Sequence, residues 1–262
     1  MKKTIFTILT CAATLCTASS PFPYNSDVPQ ETWEKVSPYF LPDGHDAIAP
    51  LQDIFTKKQK ARIVKNRKNL KKSGFKIIRW AGEGAPCVCS HDKLKGYLVK
   101  IYTDDQESII DEWKHWIARI NGAKITKEAI EKFGQEMQFI TPKKWIYPIP
   151  QDVREPKISD KFFILVVEKI NTLKSSESKK KWQNPSWMTQ DRVENLFHIL
   201  VEAGLDKIWP ASMLFAKDKT LLFTDTEFHS HWPVRLEHIT EYLPESRRTF
   251  WMQCIESTDL AE

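Results

Sequence analysis

At 262 residues the chain is long enough for one large domain or for two lobes, each with its own core. The apolar fraction of 41% is slightly low for a globular protein, but ten tryptophans favour a folded chain with large aromatic anchors over a disordered one. The net charge is +5; the N-terminal apolar run is too short for an ordinary spanning helix, and no other segment could span a membrane.

The first residues have the layout of a secretory signal. Lys2 and Lys3 precede a mostly apolar run from Thr4 to Cys16, and Ala18 stands where a peptidase would cut. Residues 1–18 are therefore expected to be a signal peptide and the product to be exported, either periplasmic or secreted. An N-terminal core strand or helix is the plainer alternative. Thr10 and Leu15, in place of a small residue, argue against a lipid-anchored Cys11 or Cys16. Cleavage would leave Cys87, Cys89 and Cys254, an odd number that forms no closed disulfide framework. Cys87 and Cys89 fall on one side of a strand and read as small apolar residues.

Residues 19–74 are expected to form an N-terminal arm and a basic helix. The arm is proline-rich, with a short helix over 30–36. Residues 57–72, KKQKARIVKNRKNLKK, contain nine Lys or Arg among sixteen and no acid. The run predicts a helix whose exposed face meets solvent, an acidic protein partner or another anionic surface such as phospholipid. No aromatic residue interleaves it in sequence, which argues against nucleic acid.

FKIIRW at 75–80 and GYLVKIY at 96–102 read as strands, with AGEGAP and CVC between them. Ile109, Trp113, Trp116, Ile117 and Ile120 mark one helix face. Asp104 or Asp105 is expected to cap that helix and Asn121-Gly122 to end it. A second helix is expected over 126–133, closed by Gly134. Strands follow near 146 and 165, the latter apolar throughout, as a strand buried on both faces requires. Residues 174–187 read as a loop and 189–203 as a helix capped by Thr189. MLFA and LLFTDTE form a hairpin around KDK, and a helical tail over 235–256 is broken by Pro244.

LLFTDTEFHSH sets Asp225, Glu227, His229 and His231 just beyond a buried strand. Acids at such a point either cap a turn or hold a metal. The HxH spacing also occurs in transition-metal sites, although a histidine beside Trp232 more often packs and hydrogen-bonds.

This order of elements resembles the protein-kinase-like fold: α+β, with a small antiparallel-sheet N-lobe over 75–171 and a truncated helical C-lobe over 172–262. Under the resemblance, Gly82 and Gly84 belong to a shortened Gly-rich loop, and Lys100 binds phosphate. Glu112 orients that lysine, with Glu128 and Glu131 as alternatives. Backbone groups around Glu168 would face an adenine. GLDKIWPASMLFAKDKTLLFTDTE resembles the catalytic loop, a hairpin and the metal-binding acid. Asp225 is then the magnesium ligand, with Ser212 and Glu227 beside it, and Asp206 is a base displaced by one residue, since Lys207 stands at the base position.

The resemblance implies ATP and magnesium as cofactors, and Lys100 and Asp225 in one cleft. The altered loop and short C-lobe imply a pseudokinase-like binding protein, with an atypical phosphotransferase as the alternative. The chain is also similar to uncharacterised exported protein families of intracellular bacteria. ATP is scarce outside the cytoplasm, so an exported kinase-like protein implies delivery into a host cell or a different substrate.

Overall fold

The computed structural model describes residues 21–56, 62–151, 161–206 and 208–259; the expected signal peptide, the first residues of the basic run and Lys207 lie outside them. The chain forms α1 (Gln30–Val36), α2 (Ile48–Phe55), α3 (Arg67–Lys72), β1 (Lys76–Arg79), β2 (Cys87–Ser90), β3 (Tyr97–Ile101), α4 (Glu112–Lys132), β4 (Phe139–Ile140), β5 (Lys144–Pro148), β6 (Phe163–Glu168), α5 (Ser175–Trp182), α6 (Gln190–Glu202), β7 (Met213–Phe215), β8 (Leu221–Phe223) and α7 (Glu245–Asp259). The fold is α+β, and the expected strands appear in the expected order, with α2, β4 and α5 added and the two helices expected before Gly134 joined as α4. Among the described residues, no helix is long and apolar enough to cross a membrane.

Five strands form an antiparallel sheet in the order β1-β2-β3-β6-β5. FILVVE occupies β6, inside the sheet, where all but its last residue are buried. Cys87 and Cys89 alternate along β2 as free, buried thiols, and burial pushes Cys89 up to about 12. The N-terminal segment wraps the sheet rather than leaving it: Phe22, Val28, Trp33, Phe40 and Leu51 all enter the same core. The helix α2 was not expected. It forms where Leu51 and Ile54 find that core, and tertiary burial outweighs a proline-rich local composition. The basic run is not one helix in its described part. A short 3-10 turn at Ile63–Lys65 precedes α3, and Asn66 caps α3 by accepting the Asn69 N–H.

A second core gathers α6, α7 and a three-stranded sheet, β4-β8-β7. The predicted hairpin is β7 and β8, and the unpredicted β4 adds in parallel to β8. Thr189 caps α6 as expected, and Pro244 separates a 3-10 turn from α7. The expected loop over 174–187 contains α5. Its lysines are solvated, while Trp182 is fully buried and donates to the Met213 carbonyl.

One helix belongs to both cores. α4 buries Trp116 in the first and Ala129 and Ile130 in the second. Trp116 stacks on Tyr102 and is wholly enclosed, whereas Trp113 is only half-buried. Asp104 and Asp105 do not cap this helix. Their N–H groups bond the Val64 and Lys65 carbonyls, and the helix starts only at Glu112.

Asn121-Gly122 does not end α4 either. Gly122 lies mid-helix because the strand-end segment passes against it: a Cβ there would stand 1.8 Å from the Thr226 carbonyl oxygen. The actual stop is Gly134, at φ 64°. In an open helix Gly→Ala stabilises by about 1 kcal/mol. Here Gly122→Ala is expected to reverse that sign and destabilise by about 1–3 kcal/mol, as overpacking does, read as a lower guanidinium denaturation midpoint.

Candidate functional site

Sheet register brings two lysines to one place. Lys100 on β3 lies opposite Leu165 of β6, and Lys144 on β5 lies opposite Val167. Leu165 and Val167 are two residues apart, so both lysines project to the same face of the sheet from the two sides of β6. Both are buried. The Lys100 ammonium donates to the Thr224 carbonyl at 3.3 Å. The Lys144 ammonium donates to the Thr226 hydroxyl at 2.9 Å and to the Arg119 carbonyl at 3.3 Å.

The residues after β8 meet these lysines and α4. His115, Arg119, Gly122 and Thr126 recur at helical spacing and form a polar stripe along α4. Arg119 Nε donates to Asp225 Oδ1 at 3.1 Å and Nη2 to Glu227 Oε2 at 2.5 Å, so one guanidinium spans both acids. His115 also bonds the Glu227 carboxylate. The Thr226 hydroxyl, between the two acids, donates to the Arg119 carbonyl.

The electrostatics follow from burial and crowding. Burial lowers Lys100 to about 8, with Asp225 opposing the fall, and burial and the neighbouring Lys100 push Lys144 well below the ordinary lysine range. For Asp225 burial acts upward, but Lys100, Arg119 and Lys144 together outweigh it and hold the carboxyl at about 2. Its side chain is 38% exposed, so it keeps contact with solvent. Glu227 is also lowered: the His115 bond and Arg119 overcome burial.

Four of the expected site residues share one recess. Asp206, Ser212, Asp225 and Glu227 line a cavity of about 60 Å³, the room of roughly two waters. Ser212 ends a short turn at Pro210–Ser212, and its carbonyl accepts both the Thr224 N–H and the Thr224 hydroxyl. Asp206 is buried, with Arg235 4.0 Å away. Lys100 reaches the same segment through Thr224.

The other expected residues stand elsewhere. Glu112 does not orient Lys100. It accepts the Phe162 and Phe163 N–H groups at 2.7 and 3.0 Å, and burial raises it to about 7. Glu128 and Glu131 face outward and pair with Lys124 and Lys127 one turn away. Gly82 and Gly84 form the β1–β2 loop at φ 115° and 84°, conformations that favour glycine. Beside that loop Arg79 donates to the Ala211 carbonyl and ties the sheet to the Pro210–Ser212 turn. Glu168 exchanges bonds with Lys143, and the Lys169 N–H is taken by Gly96, so neither backbone donor is free for a ligand.

His229 bonds Ser230, and His231 is exposed. Among the described residues, no three His, Cys, Asp or Glu side chains converge as metal ligands, so the HxH pair assembles no transition-metal site. Magnesium makes a different demand, because it uses one or two carboxylates with water and phosphate rather than a protein cage. Asp225 with Glu227 or Ser212 fits that donor type, although Arg119 already occupies an oxygen of each acid.

No protein-family model matches the chain. No curated protein matches it. Among solved structures it is similar to the kinase domain of PknI from Mycobacterium tuberculosis, at 12% identity and a TM-score of 0.33 over 65% of this chain and 66% of that one. It is similar to the MAP kinase LmaMPK10 from Leishmania major, at 13% identity and a TM-score of 0.32 over 65% of this chain and 50% of that one. It is also similar to Rv3197 of Mycobacterium tuberculosis, in complex with erythromycin, at 12% identity and a TM-score of 0.33 over 87% of this chain and 62% of that one. Superpositions at these scores carry no functional argument.

Arg119 is the residue on which the site depends. Arg119→Leu is expected to cost about 3 kcal/mol in chemical denaturation, the low end for a broken buried pair because Asp225 remains partly solvated. A carboxyl lowered from 3.8 to about 2 adds stability above pH 3.8, and that stability is lost as pH falls toward 2. In the variant the Asp225 value rises, so acid unfolding followed by circular dichroism should begin at higher pH.

Proposed function

We propose that this chain is a pseudokinase-like binding protein whose cleft takes a phosphate-bearing ligand, a nucleotide among the candidates, without transferring the phosphoryl group. The observation that carries this reading is the Arg119 bridge. Asp225 and Glu227, the acids that would hold magnesium, are already paired with a guanidinium from α4. Lys100 and Arg79 add positive charge near the recess, and the charge of Arg79 acts on Lys100. A site with cations already in place attracts a phosphate directly, without a divalent ion to screen it.

In this role Lys100 receives the phosphate charge, and Arg119 fixes the 225–227 segment. The Gly82 and Gly84 loop would cover the phosphate, as the kinase-like reading requires. The chain is proposed to be exported, on the strength of Lys2, Lys3 and the apolar run after them, and to meet nucleotide inside a host cell.

A second reading has its own observation. Asp206, Ser212, Asp225 and Glu227 share one recess, the set an atypical phosphotransferase would need, with Asp225 for magnesium and Asp206 as base. Magnesium would supply charge neutralisation at the transferred phosphate.

Thermal shift of the full chain with ATP, magnesium and both together separates the two. Under the first reading ATP alone stabilises the protein, by about 2.7 kcal/mol at a hundred times its Kd. Lys100→Met abolishes the effect, and no labelled γ-phosphate is transferred. Stabilisation that requires magnesium, with transfer lost in Asp206→Asn, establishes the second. No stabilisation by ATP, ADP or inorganic phosphate in any combination would overturn both.

A further inference from the structure

Away from the cleft, an open groove of about 690 Å³ lies between α3 and the edge strand β1, lined by Arg67, Lys68, Lys71, Lys72, Ile77 and Trp80. No acid lines it. Lys68, Lys71 and Lys72 are exposed and form no ion pair among the described residues. The fold thus places beside the basic run an aromatic side chain that the sequence keeps apart from it.

Apolar side chains stand at the same edge. A bulge between Ile77 and Arg79 leaves Ile78 outside the β1–β2 register, and its side chain is 58% exposed. Trp80 is 39% exposed and carries the Arg67 guanidinium over its ring at 3.6 Å. Each of these costs free energy in water: an uncompensated cluster of like charge, an isoleucine pushed out of a strand, and a half-covered indole.

We propose that this groove docks on the surface of an anionic phospholipid bilayer. The lysines would meet headgroup phosphates, with their apolar stems against the interface. Trp80 would sit at the headgroup level, where an indole's apolar body and polar N–H are both accommodated, and Ile78 would enter the acyl boundary. Nucleic acid satisfies less of the site. Single strands are bound on tracks of open aromatic faces, whereas here one indole is available and Arg67 covers one of its faces. A nucleic-acid backbone also gives Ile78 nothing to bury against. The docking is independent of what the cleft binds.

The test is co-sedimentation of the full chain with phosphatidylcholine vesicles, with and without phosphatidylglycerol. The readout is the ratio of anionic to neutral binding, because the N-terminal apolar run would add equally to both. Lys68→Gln with Lys71→Gln should lower that ratio about 25-fold, at about fivefold per lysine, with an unchanged denaturation midpoint because both positions are exposed. Trp80→Ala should weaken the binding that survives in high salt, where the lysines are screened. A ratio near one in the parent chain, or a ratio unaltered in the double variant, would overturn the proposal. So would failure to bind anionic vesicles alongside Lys68- and Lys71-dependent binding of a single-stranded oligonucleotide or of inorganic polyphosphate.

Discussion

The rest of the structure depends on one guanidinium. Arg119 is almost wholly enclosed, and a charge in that position must be matched by acids of fixed geometry. Its planar fork reaches Asp225 with one nitrogen and Glu227 with another, and the intervening Thr226 hydroxyl returns to the carbonyl of the same arginine. The segment after β8 therefore cannot move away from α4 without uncovering several buried polar groups at once. Lys100 and Lys144 are drawn into the same knot from the sheet. What would otherwise be two cores joined by a helix is closed by a polar lock between them, and the candidate recess is one wall of that lock.

That arrangement explains why the site is cation-rich yet stable. Lys144 has no solvent, but it has the Thr226 hydroxyl and a backbone carbonyl. Lys100 has the Thr224 carbonyl and the field of Asp225. The positive side chains are each hydrogen-bonded before any ligand arrives, and this preorganisation favours binding an anion over holding a free metal ion. Glu112, the partner expected for Lys100, is engaged at the start of α4 with the N–H groups of Phe162 and Phe163.

Much of the fold was legible because its signals are local. Alternation and apolar runs mark the main strands, Thr189 marks a helix start, and Pro244 marks a break. What was not legible depends on partners far away in sequence. Asn121-Gly122 has the local form of a helix stop, and only the Thr226 carbonyl pressed against it explains a glycine that continues the helix. Strand β4 is two residues long and exists because β8 is beside it. Helix α5 looks like a polar loop until Trp182 is seen to be buried. In the site, Asp206, Ser212, Asp225 and Glu227 were brought together by the order of motifs, while Arg119, His115 and Lys144 were not singled out. One signal could have found two of them: His115, Arg119, Gly122 and Thr126 form a second, polar stripe on a helix whose apolar stripe had already been read. Lys144 carried a weaker one, a charge on the same side of a strand as Ile146.

The two borders of the five-stranded sheet are closed by different means. At β5, Leu41 donates to the Ile146 carbonyl and Phe40 forms a bridge to Ile146, so the N-terminal segment covers that border with the chain's own backbone. At β1, the bulge around Ile78 breaks the even row of donors and acceptors, and Lys76 and Arg79 bring charge to it. Neither border offers a straight, uncharged ladder, so a further strand from another molecule has no template on which to add. The five-stranded sheet is thereby guarded at both borders against edge-to-edge strand addition.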